Sequence, residues 1–136
     1  MYDLIVIGGG PAGMMGAATA GGSGRKVLLL EKNAVLGKKL RLTGNGRCNI
    51  TNSSPMEDFP KNIVNNGKFM YSSFAAFDNV RLINLMRSLG VSVKIEKGCR
   101  VFPVSDRSTD VVEALWRRLR ENNVEIRLNT AVEEIM

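Results

Sequence analysis

Gly8, Gly10 and Gly13 stand in the pattern G-x-G-x-x-G, with Pro11 and Ala12 between the last two. Glu31 follows at about the 20-residue separation expected of a carboxylate that holds a ribose. Residues of these types could bind a dinucleotide. Gly8 lets the chain turn sharply, Gly10 offers a diphosphate bare backbone, and Gly13, helped by Gly16 one turn on, lets a helix lie close to a sheet. Pro11 has no N–H to leave unpaired in a first helical turn. The N–H groups that remain there, with the helix dipole behind them, attract an anion. The Glu31 carboxylate would accept from ribose hydroxyls and repel a 2′-phosphate, which favours FAD or NAD over NADP.

A lone G-x-G-x-x-G also occurs in structural glycine turns, so the elements around it decide. An apolar run, Leu4 to Ile7, precedes the glycines, and a small-residue segment from Pro11 to Ala20 follows. Gly21, Gly22 and Gly24 end that segment, and Val27 to Leu30 form a second apolar run that Glu31 closes. Strand, glycine turn, helix, strand and acid are the parts of a dinucleotide-binding βαβ unit in their required order.

Composition narrows the chemistry further. The 136 residues suffice for one domain, and the 44% hydrophobic and 24% charged content is that of an ordinary globular chain. No apolar stretch is long enough to span a membrane, and the N-terminal run lacks the basic lead-in of a secretory signal, so a cytoplasmic protein is expected. The formal charge of +6 is spread over the chain with few aromatics interleaved, which suits an anionic cofactor and argues against a nucleic-acid partner. With no histidine, Ser-His and Cys-His mechanisms are excluded. Cys48 and Cys99 form no C-x-x-C pair, so neither a zinc site nor a disulfide is expected.

After Glu31 comes a basic segment, Lys32 to Leu42, and then a Gly/Asn-rich loop, Thr43 to Asn52. That loop could nest an anion with help from Arg47 and Lys39, or be a solvated surface loop. Tyr71, Phe74 and Phe77 recur every three residues within Lys68 to Phe77, which predicts a short helix with a core-facing stripe. Asp78 reads as the N-cap of a helix carrying Val80, Leu82, Ile83, Leu85, Met86 and Leu89, stopped by Gly90. Val91, Val93 and Ile95 alternate with polar residues as a strand does, and Val101 to Pro103 is a short extended piece. A helix from Thr109 to Asn122 gathers Val111, Val112, Leu115, Trp116 and Leu119 on one face, leaving Arg117, Arg118 and Arg120 to solvent. Val124, Ile126 and Leu128 then supply the third parallel strand of a Rossmann half.

The run LGKKLRLTGNGRCNITN, just after GGGPAG and EKN, resembles the signature of the BaiN-like family of NAD(P)/FAD-dependent oxidoreductases, also called the aminoacetone-oxidase family. These flavoproteins carry a glutathione-reductase-like FAD domain. The stretch GCRVFPVSDRSTDVVEAL is similar to a second part of the same family. The resemblance implies a three-layer α/β, Rossmann-like FAD/NAD(P)-binding domain with a parallel sheet. It places Gly8, Gly10, Pro11, Ala12 and Gly13 on the FAD pyrophosphate, Glu31 on the ribose, and Lys32 near the adenine. Lys39, Thr43, Gly44, Arg47, Cys48 and Asn49 would line the cofactor toward its flavin ring, and Val132, in a strand from Thr130 to Ile135, would meet the adenine edge. Cys48, without a nearby partner, is expected to be a buried thiol rather than half of a redox pair.

Members of the resembling family are longer. Residues 1–136 are therefore expected to be an FAD-binding domain incomplete at its C-terminus, without the substrate domain or the C-terminal flavin-binding segment, and with an uncovered sheet edge through which copies could associate. The implied activity is flavin-dependent oxidoreduction of a small-molecule substrate that the sequence does not name, with no catalytic residue assigned. Alternatives are a dinucleotide-binding module without redox turnover of its own and an NAD-binding dehydrogenase domain, the GRCN block speaking against the last.

Overall fold

Four apolar residues, Leu4–Ile7, form β1, and the glycines after them turn the chain into α1, Pro11–Gly22. In the computed structural model, which describes residues 1–135, β1 lies parallel to β2, Val27–Leu30, with Val6 opposite Leu29. Strand β6, Glu125–Arg127, pairs parallel with the other side of β2, giving the sheet order β1-β2-β6. This is the parallel α/β sheet expected of a Rossmann-like domain, with the third strand where the alternation at Val124–Leu128 predicted it.

Residues between β2 and β6 do more than cross over. The short strand β3, Thr51–Asn52, leads through a series of 3₁₀ turns to α2, Tyr71–Ala76, and α3, Asn79–Ser88. Strands β4, Val93–Glu96, and β5, Arg100–Pro103, then form an antiparallel hairpin, turning at Gly98 and Cys99, both with positive φ. With β3 they make a second sheet, ordered β3-β5-β4. Helix α4, Ser108–Glu121, returns the chain to β6. The Asn79 side chain, 6% exposed, fastens α3 to β3 by donating to the carbonyls of Asn52 and Ser54.

The core lies between the parallel sheet and α1 and α4. Val27 and Leu29 meet Met14, Ala17 and Ala18 of α1 and Val111, Val112, Leu115 and Leu119 of α4, all nearly inaccessible. Small residues in α1 allow this close approach. A Cβ on Gly13 would lie 1.9 Å from the carbonyl oxygen of Gly8, so only glycine lets α1 rest on the turn beneath it. Gly16, expected to do the same, faces open space. Ile5 and Ile7 point to the opposite face of the sheet and are 52% and 54% exposed.

Three expectations need correction. The Tyr71–Phe74–Phe77 stripe is helical over Tyr71–Ala76 but is not core, since Tyr71 and Phe77 are exposed and Phe74 packs edge-on against Phe59 at 5.6 Å. A two-turn helix set apart from both sheets has no core to face. Trp116 likewise stands 46% exposed, although its neighbours in the α4 stripe are buried. Residues 130–135 are irregular rather than a strand, because Asn129 and Thr130 donate to the backbone carbonyls of Asn33 and Glu31 and follow the loop after β2. Met136 lies outside the described residues.

Candidate functional site

The C-terminal ends of parallel strands, where Ile7 and Leu30 stop, are where open α/β sheets bind ligands. A cavity of about 530 Å³ opens there, within the size range of small-molecule sites. Its floor is Gly8 and Gly10, one wall is Glu31 to Asn33, another is Lys38, Lys39 and Leu42, and Thr130 to Val132 close the far side.

Local folding explains each position. Gly8 has φ of +104°, and its N–H donates to the Leu30 carbonyl at 2.7 Å, ending β1 beside the end of β2. Gly10 is the N-cap of α1 and no side chain caps that helix, so its first-turn N–H groups are left for a ligand. A Cβ on Gly10 would meet nothing, which leaves the approach to the backbone open. Pro11 and Ala12 are exposed in the first turn, while Gly13 sits behind them against Gly8.

Glu31 is 7% exposed, and both its oxygens are engaged. Oε2 accepts from the Gly9 N–H at 2.7 Å, and Oε1 accepts from the Asn33 N–H at 2.8 Å and from Asn33 Nδ2. Burial works against ionisation, but these bonds outweigh it and hold the carboxyl below its ordinary range. The acid therefore fastens the glycine turn to the end of β2. Gly37 completes the hold by donating its N–H to the Gly9 carbonyl at 2.8 Å. A Cβ on Gly9 would lie 2.4 Å from Leu36 Cδ2 and 3.1 Å from Glu31 Oε2. The second glycine of the triplet is thus more closely packed than either neighbour, a role the G-x-G-x-x-G pattern does not carry.

Of the residues singled out from the sequence, Gly8, Gly10, Glu31, Lys32, Lys39 and Val132 line this cavity together. Thr43, Gly44, Arg47, Cys48 and Asn49 belong to the adjoining loop and lie outside it. Thr43 Oγ1 donates to the Leu40 carbonyl at 2.9 Å. Arg47 turns away to Glu96 and Asp106, and Cys48 is 1% exposed beneath the loop, its thiol pKa pushed up by burial. Gly44 lies inside the turn that Thr43 and Cys48 close, its carbonyl accepting from the Arg47 N–H at 3.3 Å, and Asn49 follows that turn. Asn33, Lys38, Leu42 and Thr130 line the cavity without having been singled out. Asn33 was legible in part, as the residue after an acid-lysine pair, and its Oδ1 accepts from Lys38 Nζ at 3.1 Å.

Three lysines face this cavity against one acid, a balance suited to a diphosphate. A cleft of about 500 Å³ beside α4 differs in character. It is lined by two arginines, Arg107 and Arg117, and two acids, Asp110 and Glu113, with Arg107 paired to Asp110 at 3.0 Å, so its charges balance.

Residues 2–136 match the family described as HI0933-like protein Rossmann domain. The chain belongs to that family. Two curated relatives are each 33% identical to it: a ribosomal RNA dihydrouridine synthase of Escherichia coli, over 96% of this chain and 32% of that protein, and a 3-dehydro-bile acid delta(4,6)-reductase of Clostridium scindens, over 99% and 33%. The chain thus spans about a third of the length of these relatives. In solved structures, the same fold occurs in a 3-ketosteroid-delta4-(5alpha)-dehydrogenase of Rhodococcus jostii, with a TM-score of 0.70 over 94% of this chain and 38% of that one at 16% identity. It also occurs in the Thermovibrio ammonificans protein THI4, with a TM-score of 0.62 over 93% and 38% at 10% identity. This HI0933-like chain is an FAD-binding Rossmann-like domain of the kind carried by flavin-dependent oxidoreductases. Among the described residues no helix is long and apolar enough to cross a membrane, and no group of His, Cys, Asp or Glu could hold a metal ion.

Proposed function

We propose that this domain holds the adenosine diphosphate half of FAD in the cavity at the ends of β1 and β2. The diphosphate lies over Gly8 and Gly10 against the start of α1, the ribose against Glu31, and the adenine between Lys32 and the backbone of Thr130 to Val132. The observation that carries this reading is the Glu31 carboxylate, buried in the wall and tied to the Gly9 N–H. A carboxylate offers about four acceptor positions. Three are filled by protein donors, leaving one for a ribose hydroxyl, and a 2′-phosphate brought there would meet a negative charge.

When bound, FAD supplies the redox chemistry. The chain's own residues bind and orient its adenosine end, and no acid, base or substrate residue is assigned. The parent activity, flavin-dependent reduction or oxidation of a small molecule, belongs to a protein of the relatives' length. The second reading is a dinucleotide-binding module without redox turnover of its own. Two free thiols are consistent with a reducing cytoplasmic setting. Self-association is proposed through β1, which among the described residues pairs on one side only and exposes Leu4, Ile5 and Ile7.

Calorimetric titration with ADP, FAD and 2′,5′-ADP tests the binding reading. ADP and FAD should bind and 2′,5′-ADP should bind more weakly. Equal affinity for 2′,5′-ADP would remove Glu31 from the ribose. A bound flavin that reductant bleaches while no substrate is turned over would favour the second reading.

A further inference from the structure

We infer that Arg47 is a positioning residue, which locks the 43–49 loop to the second sheet so that the loop's exposed rim is presented to the flavin side of the cofactor. This rests on the reading that FAD occupies the cavity. The rim is Thr43, Asn45, Gly46 and Asn49, all exposed, and it continues directly from Lys39 and Leu42 in the cavity wall.

Arg47 is already engaged through Nε, which donates to the Gly44 carbonyl at 3.4 Å, and through Nη1. Its Nη1 donates to Glu96 Oε1 and Oε2 at 2.9 and 3.1 Å and to Asp106 Oδ1 at 3.3 Å. Its guanidinium carbon lies 4.2 Å from the centre of the Phe102 ring, over the ring face. Lys94 joins the same acids, reaching Asp106 at 2.5 Å and Glu96 at 3.4 Å, so two cations and two anions balance. A cofactor phosphate at Arg47 would meet both carboxylates. The cluster therefore faces inward as an anchor and is not a site for an anion.

What it anchors needs anchoring. Gly44, Asn45 and Gly46 have φ of 59°, 58° and 84°, and Cys48 has 65°, so most of this arc is left-handed, a conformation that Gly and Asn accept and Cys adopts only when its surroundings hold it there. A Cβ on Gly44 would lie 2.6 Å from Phe102 Cε1, so the arc presses directly on the ring that Arg47 covers. Around it, the Cys48 N–H donates to the Thr43 carbonyl at 2.9 Å and the Ser108 N–H donates to the Gly46 carbonyl at 3.0 Å, so the same arc sits on the first turn of α4. Glu96, Asp106 and Phe102 come from β4, the turn before α4, and β5. The second sheet thereby sets the shape of a loop that borders the dinucleotide cavity.

The test compares Arg47→Ala and Arg47→Lys with the parent chain, each carrying Cys99→Ser so that Cys48 is the sole thiol. Two quantities are read: the rate at which a maleimide labels Cys48 without ligand, and the ratio of FAD to ADP affinity. In the parent chain FAD should bind more tightly than ADP. Arg47→Ala should keep its ADP affinity, lose about tenfold in that ratio and label at least about tenfold faster, the loss of roughly one hydrogen bond's worth of binding and the opening of one local unit. Arg47→Lys, which keeps the ion pairs and loses the flat stack on Phe102, should fall between. An unchanged FAD-to-ADP ratio in Arg47→Ala, or unchanged labelling, overturns the inference. A parent chain that binds ADP but shows no preference for FAD overturns it too, while leaving the adenosine site intact. A parent chain that binds neither overturns the cavity reading itself. Should Arg47→Ala lose ADP binding through misfolding, Glu96→Gln decides by the same two readouts, expected to show the same lower ratio and faster labelling.

Discussion

Replacing Glu31 by glutamine tests the link between the glycine turn and the second strand with almost no change in shape. The amide oxygen can still accept from the two Asn33 donors, but the amide NH₂ then faces the Gly9 N–H, donor against donor. One hydrogen bond to a charged acceptor is lost, about 1.5–3 kcal/mol, and the other two fall from charged to neutral strength. Water in the adjoining cavity can satisfy part of the Gly9 donor, so a net loss of about 2–3 kcal/mol is expected, a large share of the roughly 5–15 kcal/mol that holds a domain together. Urea unfolding followed by the fluorescence of Trp116, the single tryptophan, reads it directly. The pH dependence supplies the sign. Because the folded carboxyl titrates below its ordinary value, ionised Glu31 stabilises the fold at neutral pH, and that contribution is lost as pH falls below about 4.5 through the folded value. Glu96, Asp106, Asp110 and Glu125 are also held low, but they are common to both proteins and cancel in the comparison. The stability gap between parent and Glu31→Gln should therefore be full at pH 7 and shrink in acid, and ADP affinity should fall with it. Equal midpoints at pH 7, or a gap that does not shrink in acid, would refute the reasoning.

Gly13→Ala should cost more than about 3 kcal/mol, since its Cβ would meet the Gly8 backbone oxygen, whereas Gly9→Ala, which meets the yielding end of Leu36, should cost about 1–2; thermal melts of the two variants check the order. Asp78→Ala removes the side chain that accepts from the Arg81 N–H at 2.7 Å and should lower stability by about 1 kcal/mol without altering ADP affinity. Cys99, exposed, should react with a thiol reagent under native conditions while Cys48, buried and with its pKa raised, should not; mass spectrometry of the labelled peptide decides between them.

What could be read from the sequence was what is local. The β1-α1-β2 unit and its acid are specified within thirty-odd residues by strand, glycine and helix signals, and they stand where the spacing put them. Asp78 caps α3 as expected, because an N-cap needs only the next turn. The 43–49 loop was singled out, but its direction was not legible, because Arg47 is aimed by Glu96 and Asp106, which lie far along the chain. The hidden duty of Gly9 depends likewise on Leu36 and Glu31 arriving from outside the motif. The Tyr71–Phe77 stripe failed for the opposite reason: its period is correct for a helix, but period alone does not say whether a core stands opposite.

The hairpin of β4 and β5 has a consequence for the order in which the fold is made. Strands β2 and β6 are neighbours in the sheet, yet β2 ends at Leu30 and β6 begins at Glu125, so closing that pair early would fix a very long loop. The hairpin pairs residues only a few positions apart, and α4 follows it directly, so this stretch can take shape while the partner strand is still unpaired. Until it does, Val27 and Leu29 lack the α4 side chains that cover them. A nascent chain would thus carry an open apolar strand pair until the residues of α4 had been made. Changes in the Gly98–Cys99 turn should therefore appear first as slower folding and lost yield, well before any effect on the finished cavity.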